Sequence, residues 1–332
     1  MKIFLAGDSI VQDYTQEEFI AGWGQYLPKF LKKDVEVVNC AKGGRSSRLF
    51  INEGRLEQIS RQLEKGDYLF IEFCHNDDAT KEYKTMFNRL TPLGEPDEDG
   101  RFPVIPGEPV SKRYLPHEYI DALNNDDSVT DKQAVIDSVY GMFDSYPKDT
   151  YYPYSADGDK GTYLWFLKQF VDEAREKGAV PVFVTAPART VFDENGEIKD
   201  GAGLHGGSNF AYIRAMRQLG GEAGVPVLDL FTYSCELYKK IGKDKIHWIT
   251  SIKKGKNKGV WPRDFNIELK KHDTVSEDTH FNKYGAFLMA RGLVEQIEKS
   301  ESSQLVPLKR ALAETRAAVS ETAPEGLEGI VL

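Results

Sequence analysis

The sequence holds only three cysteines, Cys40, Cys74 and Cys235. An odd count without metal-like spacing argues against both a disulfide framework and a cysteine zinc site. No stretch of about 18 consecutive apolar residues occurs, so no transmembrane helix is expected. Positive charge is also short. The formal net charge is −9, and the whole-molecule field offers no general attraction to nucleic acid or to an anionic membrane. No Gly-x-Gly-x-x-Gly follows the first apolar run, which removes the usual dinucleotide fingerprint. No internal repeat is visible. The opening Met1-Lys2-Ile3-Phe4-Leu5-Ala6 meets Gly7 too soon for a signal peptide and reads as a first strand. A cytoplasmic location is the expectation, unless a leader has been removed.

What is present fits a globular enzyme-sized chain. It has 332 residues, 40% apolar and 29% charged, enough for one large domain or two small ones. Short apolar runs at Lys2–Ala6, Val35–Asn39, Asp67–Phe73, Val180–Thr185 and Val225–Leu228 read as five strands. Helical spacing falls between them: at Gly22–Leu31, around Leu56, Ile59 and Leu63, at Thr162–Lys177 and at Phe210–Leu219. A last helix is expected over Tyr284–Glu298. Strands apolar on both faces and alternating with helices imply a mostly parallel sheet covered on both sides, an α/β fold.

Two segments break the rhythm. Residues 81–160 are too long for an ordinary connection and leave the third strand on the edge where open parallel sheets bind ligands. Their aromatics, among them Phe102, Tyr114 and Tyr140, either anchor the insertion or face a substrate. The second, Lys239–His272, carries 11 Lys or Arg against 3 Asp or Glu. It reads as a solvated loop or as an anion-attracting rim. The domain is expected to span 1–300 with these insertions at about 81–160 and 239–272. Beyond it, 301–332 forms an extension whose apolar positions Leu305, Leu308, Leu312 and Val319 share one helical stripe. That stripe suits docking on its own domain or on a second copy in a homodimer.

Chemistry concentrates at strand ends. Ser9 follows Gly7-Asp8 after the first strand, and a serine hydroxyl needs a base to become a nucleophile. His280, in Asp278-Thr279-His280-Phe281, suits that role, and such an imidazole needs a carboxylate on its other nitrogen. An acidic residue before Thr-His also reads as a plain helix cap. Acyl transfer needs donors for the developing oxyanion. The Ser9 N–H, an N–H of the Gly43-Gly44 turn and the Asn76 amide are available after strands one, two and three. His75, Asp77 and Asp78 can be drawn as metal ligands, but no second cluster completes a set.

These blocks resemble the SGNH (GDSL-type) hydrolases: Gly7-Asp8-Ser9, Gly44, Asn76 and His280 match their four motifs. Gly22-Trp23-Gly24-Gln25, Gly43-Gly44-Arg45-Ser46, Phe73-Cys74-His75-Asn76-Asp77 and Thr279-His280-Phe281 are most similar to the rhamnogalacturonan acetylesterase branch. The resemblance implies a flavodoxin-like three-layer αβα sandwich and cofactor-independent deacetylation of plant-polysaccharide oligosaccharides, of pectin or xylan type. Carried over by position, Ser9 is the nucleophile, His280 the base, and Ser9, Gly44 and Asn76 the oxyanion donors. The family's acid stands three residues before the histidine, which here is Glu277. Asp278 is the competing choice. Cys74 replaces a usual glycine and reads as a buried thiol. Other GDSL-type lipases or thioesterases, or a carbohydrate-binding homologue without turnover, are the alternatives.

Overall fold

The computed structural model describes residues 1–15, 20–78, 89–107, 123–137, 160–199, 210–253 and 275–314, with backbone alone at 252–253 and 275–278. Five strands form one sheet: β1 (Lys2–Gly7), β2 (Glu36–Asn39), β3 (Tyr68–Glu72), β4 (Val180–Val184) and β5 (Val227–Leu228). Their order is β2-β1-β3-β4-β5, and every pairing is parallel. Ile3, Phe4, Leu5, Leu69 and Val182 are fully buried. That double-faced burial is why these strands are apolar runs and do not alternate with polar residues.

Helices cover both faces. On one lie α1 (Ser47–Asn52), α2 (Arg55–Ser60), α3 (Tyr163–Glu176) and α4 (Ala211–Ala223), with α3 touching the other three as well as β3 and β4. On the other lie α5 (Leu230–Ile241), α6 (Lys283–Lys299) and two 3-10 turns, Trp23–Gln25 and Leu27–Phe30. The result is the expected three-layer αβα sandwich. In α3, Tyr163, Leu164, Phe166, Leu167, Phe170, Val171 and Ala174 are all buried, and Gly178 at φ +73° follows its end. Left-handed backbone suits glycine there and stops the helix.

Several local readings change. Gly22–Leu31 forms two 3-10 turns and no continuous helix, with Pro28 in the first turn of the second. The helix around Leu56 is short, Arg55–Ser60, and ends before Leu63, while a separate helix, Ser47–Asn52, precedes it across Gly54 with φ +71°. Helix α5 was not anticipated. Asp229 caps it, its side chain accepting from Thr232 N–H, so the basic insertion begins inside a helix. Lys239 and Lys240 form its basic last turn, where they complement the helix dipole, and Lys239 pairs with Glu197 at 2.7 Å. Also unanticipated is an antiparallel pair, β6 (Thr250–Lys253) with β7 (Val275–Phe281), which aligns Thr250 with Phe281. Residues 254–274 lie outside the described ones.

Within the long insertion, Phe102 is buried and exchanges backbone hydrogen bonds with the Gln218 side chain, so it serves as an anchor. Tyr114 and Tyr140 lie outside the described residues. At the other end, Ser303–Leu305 and α7 (Val306–Ala311) pack on the chain's own body, with Leu305 and Leu308 fully buried. The single helical stripe is interrupted because Leu312 turns extended and bridges to Leu31. Val319 lies beyond the described residues.

Candidate active site

In a 2-1-3-4-5 parallel sheet the chain departs to opposite sides after β1 and β3, which opens a crevice at their carboxyl ends. Ser9 stands there. Gly7 closes β1 where an added Cβ would lie 2.6 Å from Val11 Cγ2 and 3.0 Å from Glu72 O, so a side chain does not fit. The buried Asp8 accepts from Ile10 N–H at 2.9 Å, and Asp8 O accepts from Val11 and Gln12 N–H. This tight turn lifts the half-buried Ser9 out of the strand. The Tyr14 hydroxyl donates to Ser9 O at 3.0 Å, and Tyr14 is held in turn by Gln25 through two 3.2 Å bonds. The Gly22–Gln25 block thus braces the Ser9 loop.

Ser9 Oγ lies 2.8 Å from His280 Nε2. His280 is placed by the end of β7. Phe281 O accepts from Ala21 N–H at 2.9 Å, and Asn282 N–H donates to Ile249 O at 3.1 Å. Asn282 caps α6, its Oδ1 accepting from Gly285 N–H at 2.9 Å while its Nδ2 donates to Trp248 O at 2.7 Å. The cap is therefore Asn282, and the acidic residues before Thr279 do not serve as one. The side chains of Glu277 and Asp278 lie outside the described residues.

Gly44 and Asn76 come to the same crevice. Gly44 has φ +77°, a conformation that disfavours any side chain. Gly43 N–H donates to Gln12 Oε1, and Arg45 reaches back to Gly43 O at 2.9 Å while gripping Glu53 with two bonds of 3.0 and 2.9 Å. The Asn76 Nδ2 donates to Asp8 Oδ2 at 2.9 Å and to Arg45 O at 3.2 Å. Arg89 donates to Asn76 Oδ1 at 3.2 Å. Asp77, next in sequence, accepts from Ser47 N–H and Oγ–H at 3.0 and 2.5 Å, which ties α1 to this loop.

Burial shapes the charges below. Asp8 is raised to about 6, chiefly by desolvation, with the Ile10 N–H, His280, Asn76 and Arg89 pulling the other way. Desolvation also raises Asp77 to about 7. It lowers His75 to about 3, so this ring is neutral. Its Nε2 lies 2.8 Å from Pro187 O and so carries the proton. Cys74 is fully buried, and burial holds its thiol well above the usual range. That makes it an inert core group. Among the described residues no cluster of three or more His, Cys, Asp or Glu is placed to hold a metal ion, and no helix is long and apolar enough to cross a membrane.

Arg89, Gln12, Glu53 and Glu72 escaped the sequence reading. Glu72 carried a signal, as the one charge in the apolar Tyr68–Phe73 run. Arg89 carried none, because it sits inside the segment read as an insertion.

A model of the GDSL-like lipase/acylhydrolase family matches residues 5–286. The chain belongs to that family. This GDSL-family ester hydrolase is 31% identical over 300 residues to the rhamnogalacturonan acetylesterase RhgT of Bacillus subtilis (strain 168), with 90% of each chain covered. It is 26% identical over 297 residues to the probable rhamnogalacturonan acetylesterase YesY of the same organism, covering 90% of this chain and 92% of that one. The crystal structure of YxiM from Bacillus subtilis superposes with a TM-score of 0.54 at 18% identity. That match covers 91% of this chain and spans 57% of the YxiM chain, and it bears on the fold alone.

Proposed function

We propose that the protein is a serine esterase that removes O-acetyl groups from plant-polysaccharide oligosaccharides through an acyl-enzyme. The observation that carries this reading is the 2.8 Å approach of Ser9 Oγ to His280 Nε2, at the edge where such sheets bind ligands. In the reading, Ser9 attacks the acetyl carbonyl as His280 takes its proton, and the imidazolium returns that proton to the departing sugar hydroxyl. His280 then activates water against the acetyl-serine, and acetate leaves. The N–H groups of Ser9 and Gly44 and the Asn76 amide hold the oxyanion in both halves. Glu277, in preference to Asp278, orients the imidazole.

The names of the relatives support a pectin-type substrate over a xylan-type one, since two with 90% coverage of this chain are rhamnogalacturonan acetylesterases or probable ones. The test is acetate release from acetylated pectin, xylan and mannan oligosaccharides by wild type, Ser9→Ala and Asn76→Ala. Wild type is expected to prefer the pectic substrates. Ser9→Ala is expected to lose several orders of magnitude, and Asn76→Ala about 10²–10³-fold in turnover. Preference for acetylated xylan would sink the substrate assignment. Near-wild-type turnover in Ser9→Ala would sink the mechanism.

A further inference from the structure

We propose that Arg89 is a positioning residue for acyl transfer, holding the Asn76 amide in the one orientation that can serve an oxyanion. The inference rests on the reading of Asn76 as an oxyanion donor. A carboxamide is nearly symmetric in shape but opposite in polarity at its two ends. Turned one way, Asn76 meets a developing oxyanion with an N–H. Turned the other way, it meets that charge with a lone pair.

The surroundings of Asn76 select the first orientation from both sides. Two acceptors face Nδ2: Asp8 Oδ2 at 2.9 Å and Arg45 O at 3.2 Å. One cationic donor faces Oδ1: an Arg89 guanidinium nitrogen at 3.2 Å. A flip would set the Asp8 carboxylate against the amide oxygen and the guanidinium against the NH₂ group, two repulsive contacts in a half-buried site. Asp8 and Arg89 therefore clamp the amide as a pair of opposite charges. An oxyanion would compete with Arg45 O, the longer of the two Nδ2 contacts.

The same guanidinium lies over Gly44. A Cβ built there would stand 2.6 Å from its terminal nitrogen and 3.0 Å from Cζ. The glycine thus satisfies its positive φ and also admits the cation, which spans both oxyanion donors contributed by β2 and β3. The segment bearing Arg89 is firmly tied. Thr91 N–H donates to Asp77 O at 3.0 Å, Arg48 Nε–H to Leu90 O at 2.9 Å and the Tyr212 hydroxyl to Thr91 O at 2.7 Å. Arg89 is thus locked to the loop that carries Asn76.

The experiment uses 4-nitrophenyl acetate, which has neither sugar nor carboxylate, with Arg89→Ala, Arg89→Lys, Asn76→Ala and the Asn76→Ala/Arg89→Ala double variant. Thermal melts check that each variant is folded. Arg89→Ala is expected to lower kcat by about 10–100-fold, a fraction of the loss of a whole donor, with KM little changed. Arg89→Lys should recover part of the loss as a point-charge donor. Adding Arg89→Ala to Asn76→Ala should cost almost nothing more, because the two act as one unit. Wild-type kcat in Arg89→Ala, a loss confined to KM, or fully additive losses would each overturn the proposal. A loss seen only on acetylated uronate oligosaccharides would overturn it too, and would make Arg89 a reader of substrate carboxylates. If Asn76→Ala itself keeps wild-type turnover, the oxyanion reading falls and this proposal with it. A slow Asn76→Ala beside a fast Arg89→Ala sinks only the role of Arg89.

Discussion

Asp8, Glu72 and Asp77 are each wholly removed from solvent beneath the crevice that holds Ser9. Asp8 has the Ile10 N–H and Asn76, and Asp77 has Ser47. Among the described residues the Glu72 oxygens find no well-formed hydrogen bond, and the Asp8 backbone N–H offsets only part of the cost of burial. Desolvation first, then repulsion from Asp8 and Asp77, raises Glu72 well above its ordinary range. A carboxyl whose folded pKa is raised contributes stability that is complete below its unfolded pKa and is lost as pH rises toward the folded value. For Asp8 and Asp77 that loss spans the window from 3.8 up to about 6 and about 7. Glu72 follows the same sign. Glu72→Gln, which cannot ionise, is expected to raise Tm more at pH 8 than at pH 5. An equal change at both values would show that Glu72 pays no ionisation penalty.

Among the elements, the five parallel strands were legible because each is a short apolar run, three of them closed by Gly7, Asn39 and Asp229. Helix α3 was legible because its apolar positions keep one face over four turns. The β6–β7 pair was not. Its partners are separated by residues 254–274, and Val275-Ser276-Glu277-Asp278-Thr279-His280-Phe281 is too polar to announce a strand. Yet this pair delivers His280. The four-block motif gave the histidine's identity from sequence, while its placement depends on close packing that only the structure reveals. Gly285 is the key contact: an added Cβ would collide with Ile249 O, which also accepts the Asn282 N–H. Gly285→Ala is expected to destabilise the fold by about 1–3 kcal/mol through overpacking and to lower kcat by displacing His280. Unchanged Tm and kcat would show that the β6–α6 junction relaxes without cost.

Across the whole molecule, the candidate site and the C-terminal extension sit at opposite ends of the strands of one sheet. The C-terminal extension docks beside the start of β3, where the Tyr68 hydroxyl donates to Gln304 O at 2.8 Å, while Ser9 and Asn76 stand at the strands' far ends. Arg89 and the acids beneath Ser9 had to wait for the fold, because their significance lies in contacts between segments far apart in sequence. The central claim is that Ser9 and His280, drawn from opposite ends of the chain, form one nucleophilic unit. The most direct measurement is intact-mass and peptide mapping after reaction with a small organophosphonate ester. The expected result is one adduct per chain on Ser9 in wild type, none in Ser9→Ala, and labelling slowed by orders of magnitude in His280→Ala. No adduct in wild type, an adduct on another residue, or equally fast labelling without His280 would contradict it.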